Sequence, residues 1–361
     1  MQLNRNRLYK ILVAVILLLS ALACSWVKDE LPECPPTELR LRFEYDYNMM
    51  WADVFKDVVG GVTVYVFDES DCFVTQKSES SPERLGTYGY EMVFTDQELE
   101  LGREYRFVTV AFQDDEQDLL KGDGAKFRTV SLQPGDNIGS LQVKLDRSDR
   151  KDDNGAYYVE HKEQPLDILW ISRNDCRGTL HLYETTRCTL NLMRHTNNLT
   201  ISLRELDAPA ETDINDYEIR LTDRNGWVNY DNSLREDDRL VYTPYAEWNT
   251  EFKDDNNHVA QRTAHADLSF PRLIYSEDWR KNARLTIYCK KTNQVVADIN
   301  LPGLLVEDRS SLELLRCEEQ EFLDREYTYK LDFFLKGDSW ETVEISISVL
   351  KWAVRNQSVG L

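Results

Sequence analysis

The chain has 361 residues, 42% hydrophobic and 30% charged, a balance that suits about two ordinary folded domains and excludes wholesale disorder. Acidic residues outnumber basic ones 64 to 43, giving a formal charge of −21 with no Lys/Arg run to offset it, so nucleic acid is excluded as a partner. Aromatics are plentiful (18 Tyr, 13 Phe, 8 Trp) beside only 15 Gly and 5 Met, which favours strands and disfavours glycine-loop nucleotide sites.

Arg5, Arg7 and Lys10 precede an apolar run from Ile11 to Leu19, continued through Ser20, Ala21, Leu22 and Ala23 to Cys24. A basic start, a short apolar stretch and a small residue before the break are the parts of a secretory signal. A transmembrane helix needs about 20 apolar residues, and this run stops short of that. Polarity returns at once with Lys28, Asp29 and Glu30. Ser20-Ala21-Leu22-Ala23-Cys24 resembles a bacterial lipobox, with Ala21 where Leu is usual. The resemblance implies a signal peptide over 1–23, cleavage between Ala23 and Cys24, and acyl chains on Cys24, which then begins a lipidated tether over 24–36. Several acyl chains hold a protein firmly, each buried methylene contributing about 0.8 kcal/mol. Cleavage removes three cations and no acid, so the mature charge becomes −24. Lys28-Asp29-Glu30 behind the lipid is similar to signals that send lipoproteins to the outer cell surface.

Of seven cysteines, an acylated Cys24 leaves six: Cys34, Cys72, Cys176, Cys188, Cys289 and Cys317. An exported protein folds in an oxidising space, and an even number fits disulfides. Sequence leaves about 15 connectivities open; pairing in order along the chain, which keeps each bridge within one domain, is the expected arrangement. No C-x-x-C occurs, so no zinc site is expected.

Leu31-Pro32-Glu33-Cys34-Pro35-Pro36 cannot be helical, because prolines fix φ and remove donors. The clearest strand follows: Leu39, Leu41, Phe43, Tyr45 and Tyr47 alternate with Arg40, Arg42, Glu44 and Asp46. Asp53 to Val59 reads as a short helix or loop. Val62–Phe67 and Cys72–Thr75 read as a hairpin across Asp68-Glu69-Ser70-Asp71, and further strands fall at Tyr90–Phe94, Tyr105–Phe112 and Leu141–Leu145. The run from Asp146 to Gly155 is polar and lacks an apolar anchor. It reads as a solvated linker dividing a domain over 37–150 from a second over 161–361, with 151–160 between them. A calcium loop is excluded there, since Arg150 and His161 stand where carboxylates belong. Beyond it, strands are expected at Thr179–Tyr183, Thr189–Met193, Leu199–Leu203, Tyr217–Thr222, Val241–Tyr245, Ala266–Leu268, Arg284–Cys289, Val295–Ile299, Tyr327–Leu335 and Val343–Leu350. Asp223-Arg224-Asn225-Gly226 reads as a tight turn, Asn-Gly supplying positive φ. Only Leu312–Asp324 looks helical. Many short strands without helical crossovers make an all-β sandwich or barrel.

No phosphate loop, dinucleotide fingerprint, H-E-x-x-H or G-x-S-x-G is present. The five histidines (His161, His181, His195, His258, His265) are scattered and read as surface or turn residues. The aromatics, Trp170, Trp227, Trp340 and Trp352 among them, read mostly as core fillers, with a sugar platform as the functional alternative. Neither an enzyme nor a cofactor or metal is expected.

Several segments together resemble the FimB/Mfa-type fimbrial anchor family of bacteria with type V fimbriae. They are the lipobox with Cys34-Pro35-Pro36, Leu39-Arg40-Leu41-Arg42-Phe43-Glu44-Tyr45, and Val62-Thr63-Val64-Tyr65-Val66-Phe67-Asp68. Later come Leu192-Met193-Arg194-His195-Thr196-Asn197-Asn198, Thr222-Asp223-Arg224-Asn225-Gly226-Trp227 and Tyr242-Thr243-Pro244-Tyr245. Phe322-Leu323-Asp324-Arg325-Glu326-Tyr327, Phe333-Phe334-Leu335 and the segment around Trp352 complete the series. Cys72 departs from that pattern. The resemblance implies two tandem transthyretin-like β-sandwich domains, lipid attachment to the outer membrane, and fimbrillin shaft subunits as partners through strand exchange. On this reading the anchor is expected to keep its own strand Leu39–Tyr47, so that its groove stays filled, and to donate a strand from Val343–Leu361 while accepting none; a frayed terminus is the alternative for that tail. The alternatives are a surface glycan-binding lipoprotein, or a shaft or tip subunit of the same assembly.

Overall fold

The computed structural model describes residues 34–174, 176–309, 317–336, 339–347 and 357–360, with 9, 10 and 13 besides. Over these the protein is mostly β, its strands forming four sheets that pack as sandwiches.

The first sheet has eight strands. Its path runs Phe73–Glu79, Gly61–Asp68, Glu104–Phe112, Leu169–Ser172, Thr185–Arg194, Glu38–Glu44, Glu91–Thr95, and Cys176–Thr179 adds to Glu104–Phe112. Thr185–Arg194 turns the corner between two layers. Up to Asn191 it runs parallel to Glu38–Glu44, while Leu192–Arg194 pairs antiparallel with Leu169–Ser172. The layers close over Leu39, Leu41, Val64, Val66, Phe94, Phe107 and Trp170, all fully buried.

Gly61–Asp68 shows why one run lacks clean alternation. Val64 and Val66 enter that core, while Tyr65 and Phe67 face the other way into a second one, so the strand is buried on both faces. The second core is roofed by a three-stranded sheet of Trp227–Asn229, Gln142–Leu145 and Phe127–Thr129. It continues between a six-stranded sheet (Ala246–Lys253, Val259–Pro271, Thr196–Glu205, Thr328–Lys336, Ser339–Ile347, Gln357–Gly360) and a five-stranded one (Gln294–Asn300, Arg284–Cys289, Tyr217–Asp223, Leu240–Tyr242, Tyr157–Val159). Ile201, Leu268 and Leu331 from one meet Ile219, Leu285 and Ile287 from the other.

Several expectations change here. Leu169–Ser172, Cys176–Thr179 and Thr185–Arg194 lie beyond the linker expected at 151–160, yet they complete the first sheet. No described strand after His195 belongs to the first sheet, although Phe127–Thr129, Gln142–Leu145 and Tyr157–Val159 before it already share sheets with later strands. The chain does change sheet across the polar run, from Gln142–Leu145 to Tyr157–Val159, but afterwards it returns to the first sheet. That run is also not wholly solvated: Arg147 is held by Asp237 at 2.7 Å, both side chains largely buried. Asp223–Gly226 is not a hairpin turn, since Tyr217–Asp223 and Trp227–Asn229 belong to different sheets. Asn225 is buried, donating to Pro271 O (3.1 Å) and accepting from Tyr242 Oη (2.7 Å). Gly226 is required by close approach, because a Cβ there would stand 2.4 Å from Leu240 Cδ1. Helices form at Glu319–Arg325 and at Leu301–Arg309, the latter not among the expected elements; its Pro302 stands in the first helical turn, where proline is tolerated.

Among the described residues the disulfide is Cys176–Cys188. Cys34, Cys72 and Cys289 are free thiols, so pairing in order along the chain does not hold throughout. Cys34 is exposed just before Glu38–Glu44, whereas Cys72 lies in the hairpin turn beside Asn137, in a different part of the first sheet.

Candidate assembly interface

Glu38–Glu44 is an inner strand. Seven residues pair parallel with Thr185–Asn191 and five antiparallel with Glu91–Thr95. Leu39, Leu41 and Phe43 point into the core, and Gly178 makes room for Leu39, since a Cβ there would meet Leu39 Cδ1 at 2.8 Å. The outward face is fastened by charge. Arg40 donates to Glu38 (2.7 Å) and Glu91 (3.1 Å), and Thr185 Oγ1 donates to Glu38 (3.0 Å). The hydrogen bond from Arg40 is the main cause that holds the Glu38 carboxyl below its ordinary range.

Tyr45 and Tyr47, expected within this strand, lie just past its end but are equally buried. Tyr45 sets its ring edge-on to Trp170 at 5.8 Å, and burial pushes its hydroxyl well up. Tyr47 is clasped between Arg173 (3.9 Å) and Arg325 (4.1 Å), and Arg325 also covers Trp51 at 3.6 Å. The N-terminal segment is thereby tied to the helix Glu319–Arg325 near the other end of the chain.

Where the strand pairs change sheet, a buried polar cluster holds the joint. His195 N–H donates to Leu169 O (2.7 Å), its carbonyl accepts from Arg272 N–H (2.8 Å), and Nε2 lies 2.7 Å from Asn232 Oδ1. Arg272 grips Asp324 through Nε (2.6 Å) and Nη2 (2.8 Å) and donates from Nη1 to Asn232 O (2.7 Å). Burial, with the Arg272 cation beside it, lowers His195 to about 3, so the ring is neutral. His161 is buried too and lowered to about 4 by burial. Both correct the expectation of surface histidines. Sequence carried no signal for this joint, because its polar side chains come from positions up to 129 residues apart, from His195 to Asp324.

The sheets end in edges. Gln357–Gly360 pairs on one side, with Thr342–Ile345, and is a terminal strand of the six-stranded sheet, whereas Ser339–Ile347 is flanked on both sides. At the opposite edge Ala246–Lys253 exposes Trp248 and Phe252, the indole stacked on His265 at 5.0 Å. Trp170 is core, and Trp227 is half-buried under Lys144 (4.3 Å) and Arg235 (4.7 Å). Ala23, Cys24 and Trp352, and the side chain of Trp340, lie outside the described residues. Among the described residues no group of three or more His, Cys, Asp or Glu is placed to hold a metal ion.

A filled strand position at one end and a terminal edge strand at the other are what a subunit of a strand-joined polymer would present. The family model of fimbrillin-A associated anchor proteins Mfa1 and Mfa2 matches residues 31–358. The chain belongs to this family. Members are structural proteins of fimbriae, associated with the cell surface. Among solved structures, a candidate adhesin from Bacteroides thetaiotaomicron is 27% identical with a TM-score of 0.69, over 91% of this chain and 100% of its own. A candidate polysaccharide-binding protein from the same organism is 28% identical with a TM-score of 0.66, over 86% and 95%. The fimbrial anchor protein Mfa2 from Porphyromonas gingivalis shares the fold at 15% identity, with a TM-score of 0.58 over 89% and 100%. No curated protein matches the sequence.

Proposed function

We propose that this chain is the anchor lipoprotein at the base of a fimbria. Acylated Cys24, freed by cleavage after Ala23, holds it to the outer membrane. Fimbrillin shaft subunits join it by strand exchange, and growth ends at this subunit because its own first strand occupies the place a donor would take. The observation that carries the reading is the two-sided pairing of Glu38–Glu44, which leaves no vacancy beside Thr185–Asn191. Donation falls to the C-terminal region, with Gln357–Gly360 the part that can leave most readily from its edge.

Two measurements test this. Cells carrying Cys24→Ala should shed the protein and its fimbriae from the outer-membrane fraction; retention of both sinks the anchor role. N-terminal sequencing of protein from fimbriated cells should find residues ahead of Leu39 intact, and a start beyond Tyr47 would overturn the retained strand. A second reading, surface glycan binding, is favoured by the exposed Trp248 stacked on His265. A glycan array that finds a ligand abolished by Trp248→Ala, with no fimbrillin co-purifying, would select it.

A further inference from the structure

Three chain segments meet at one pole of the first sheet. Glu104 pairs with Thr179, and one step further the Gly102 N–H donates to Leu180 O at 2.9 Å, which sets the turn around Leu101 beside the turn around Leu182. The Tyr183 N–H donates to Thr37 Oγ1 (2.9 Å) and the Glu38 N–H to Glu184 O (3.1 Å), so these turns flank the residues through which the chain enters its first strand. At their tips Leu101 is 47%, Leu182 59% and Tyr183 58% exposed. Leu99 and Leu180, two residues before Leu101 and Leu182, are buried, so these turns hold one leucine inside and another out.

The tips are held in place. Tyr183 sits at φ +58°, a left-handed conformation uncommon for an aromatic residue, fixed by its bond to Thr37. The Cys176–Cys188 disulfide ties together the two strands that flank Leu182 and Tyr183.

We propose that this pole is a membrane-contacting tip, with Leu101, Leu182 and Tyr183 seated in the interfacial layer of a lipid surface. The inference rests on acylation of Cys24. Cys34 lies ten positions after Cys24, and ten chain steps reach at most about 35 Å. An acyl group on Cys24 therefore keeps this pole, where the chain enters its first strand, within about 35 Å of the bilayer. Two leucines supply apolar area and the tyrosine supplies an amphipathic ring of the kind that collects at headgroup depth. Glu100 and Glu184 flank the tips, and Arg103 is engaged by Asp68 (2.9 Å) and Glu100 (3.4 Å), so the surface that fits is zwitterionic. Lipid and tip together would fix the orientation of the subunit on the membrane, which a tether alone leaves free.

The test uses the full, acylated protein in phosphatidylcholine vesicles. The photoreactive p-benzoylphenylalanine replaces Tyr183 in one sample and the exposed Phe252 in another. Mass spectrometry reads both the acyl chains on Cys24 and the products of illumination. Lipid adducts at position 183 and not at 252 support the tip. With Leu101→Ser and Leu182→Ser added, acylation and the unfolding midpoint stay as they were, while adduct yield at 183 falls about fivefold or more as apolar contact is lost. An acylated Cys24 with no excess of lipid adduct at 183 overturns the tip and leaves the anchor intact. Absence of acyl chains overturns the lipidation reading and the tip with it. In fimbriated cells, an adduct at 183 to a shaft subunit instead of lipid also overturns it.

Discussion

Glu38–Glu44 lies between two neighbours, with seven residues paired on one side and five on the other, whereas Gln357–Gly360 leans on a single neighbour through four. Extracting the first would uncover Leu39, Leu41 and Phe43, each worth about 1.5–3 kcal/mol when fully buried, and would break the Arg40 bonds to Glu38 and Glu91. Lifting the second off its sheet breaks one short ladder. The same kind of element is therefore fixed at one end of the protein and releasable at the other. Under the proposed function, that asymmetry suits a subunit that joins a polymer in one direction only.

The largest expected effect comes from weakening the fixed end. Phe43→Ala, which empties a site stacked on Phe55 at 5.5 Å, should lower unfolding free energy by about 3–5 kcal/mol in denaturant titration. A loss below about 1 kcal/mol would mean the strand is held far less firmly than its burial implies. Next comes the joint at His195, on which both regions depend. Its pKa is about 3 when folded against 6.5 as the ordinary value, so the unfolded chain binds more protons between those limits. Stability should fall as pH drops through 6.5 toward 3, with His161, at about 4, acting in the same direction. Asp223 acts oppositely: burial raises it to about 7 from 3.8, so its contribution favours the fold as pH falls across that interval. The discriminating measurement is the difference between the wild type and His195→Gln, which keeps a polar partner for Asn232. The variant's melting temperature should lose less between pH 7 and pH 4.5, and equal pH slopes would contradict the role given to His195. The smallest stability effect belongs to the releasable end. Removing 357–361 should move unfolding free energy by no more than about 1 kcal/mol while abolishing capture of fimbrillin in a pull-down. Loss of stability comparable to Phe43→Ala would erase the distinction between the ends.

Local pattern made much of this legible. Alternation placed Leu39, Leu41 and Phe43 inside and Arg40 and Arg42 outside, because a residue's face on a strand follows from its position alone. Runs of strand-forming residues between turn signals also found Gly61–Asp68, Glu104–Phe112 and Thr328–Lys336 to within a residue or so at each end. Local pattern shortened Val259–Pro271 to three residues, because the N-terminal half of that strand lies against the exposed edge strand Ala246–Lys253 and carries little apolar pattern. It misplaced Leu182 and Tyr183 in a strand, where they occupy a turn whose left-handed backbone is stabilised by Thr37, a residue 146 positions away.

The sequence by itself determined that the protein is built of short amphipathic strands and lacks the common catalytic motifs, and it carried the family resemblance that the comparison then bore out. Only the tertiary structure decided which strands are neighbours. That Thr185–Arg194 turns back to the first sheet, that Asn225 is a buried strut and not a turn residue, and that His195 meets Arg272 are consequences of pairings between distant segments. Hydrogen-bond ladders are made by backbone groups that every residue carries, so their partners leave little trace in side-chain pattern.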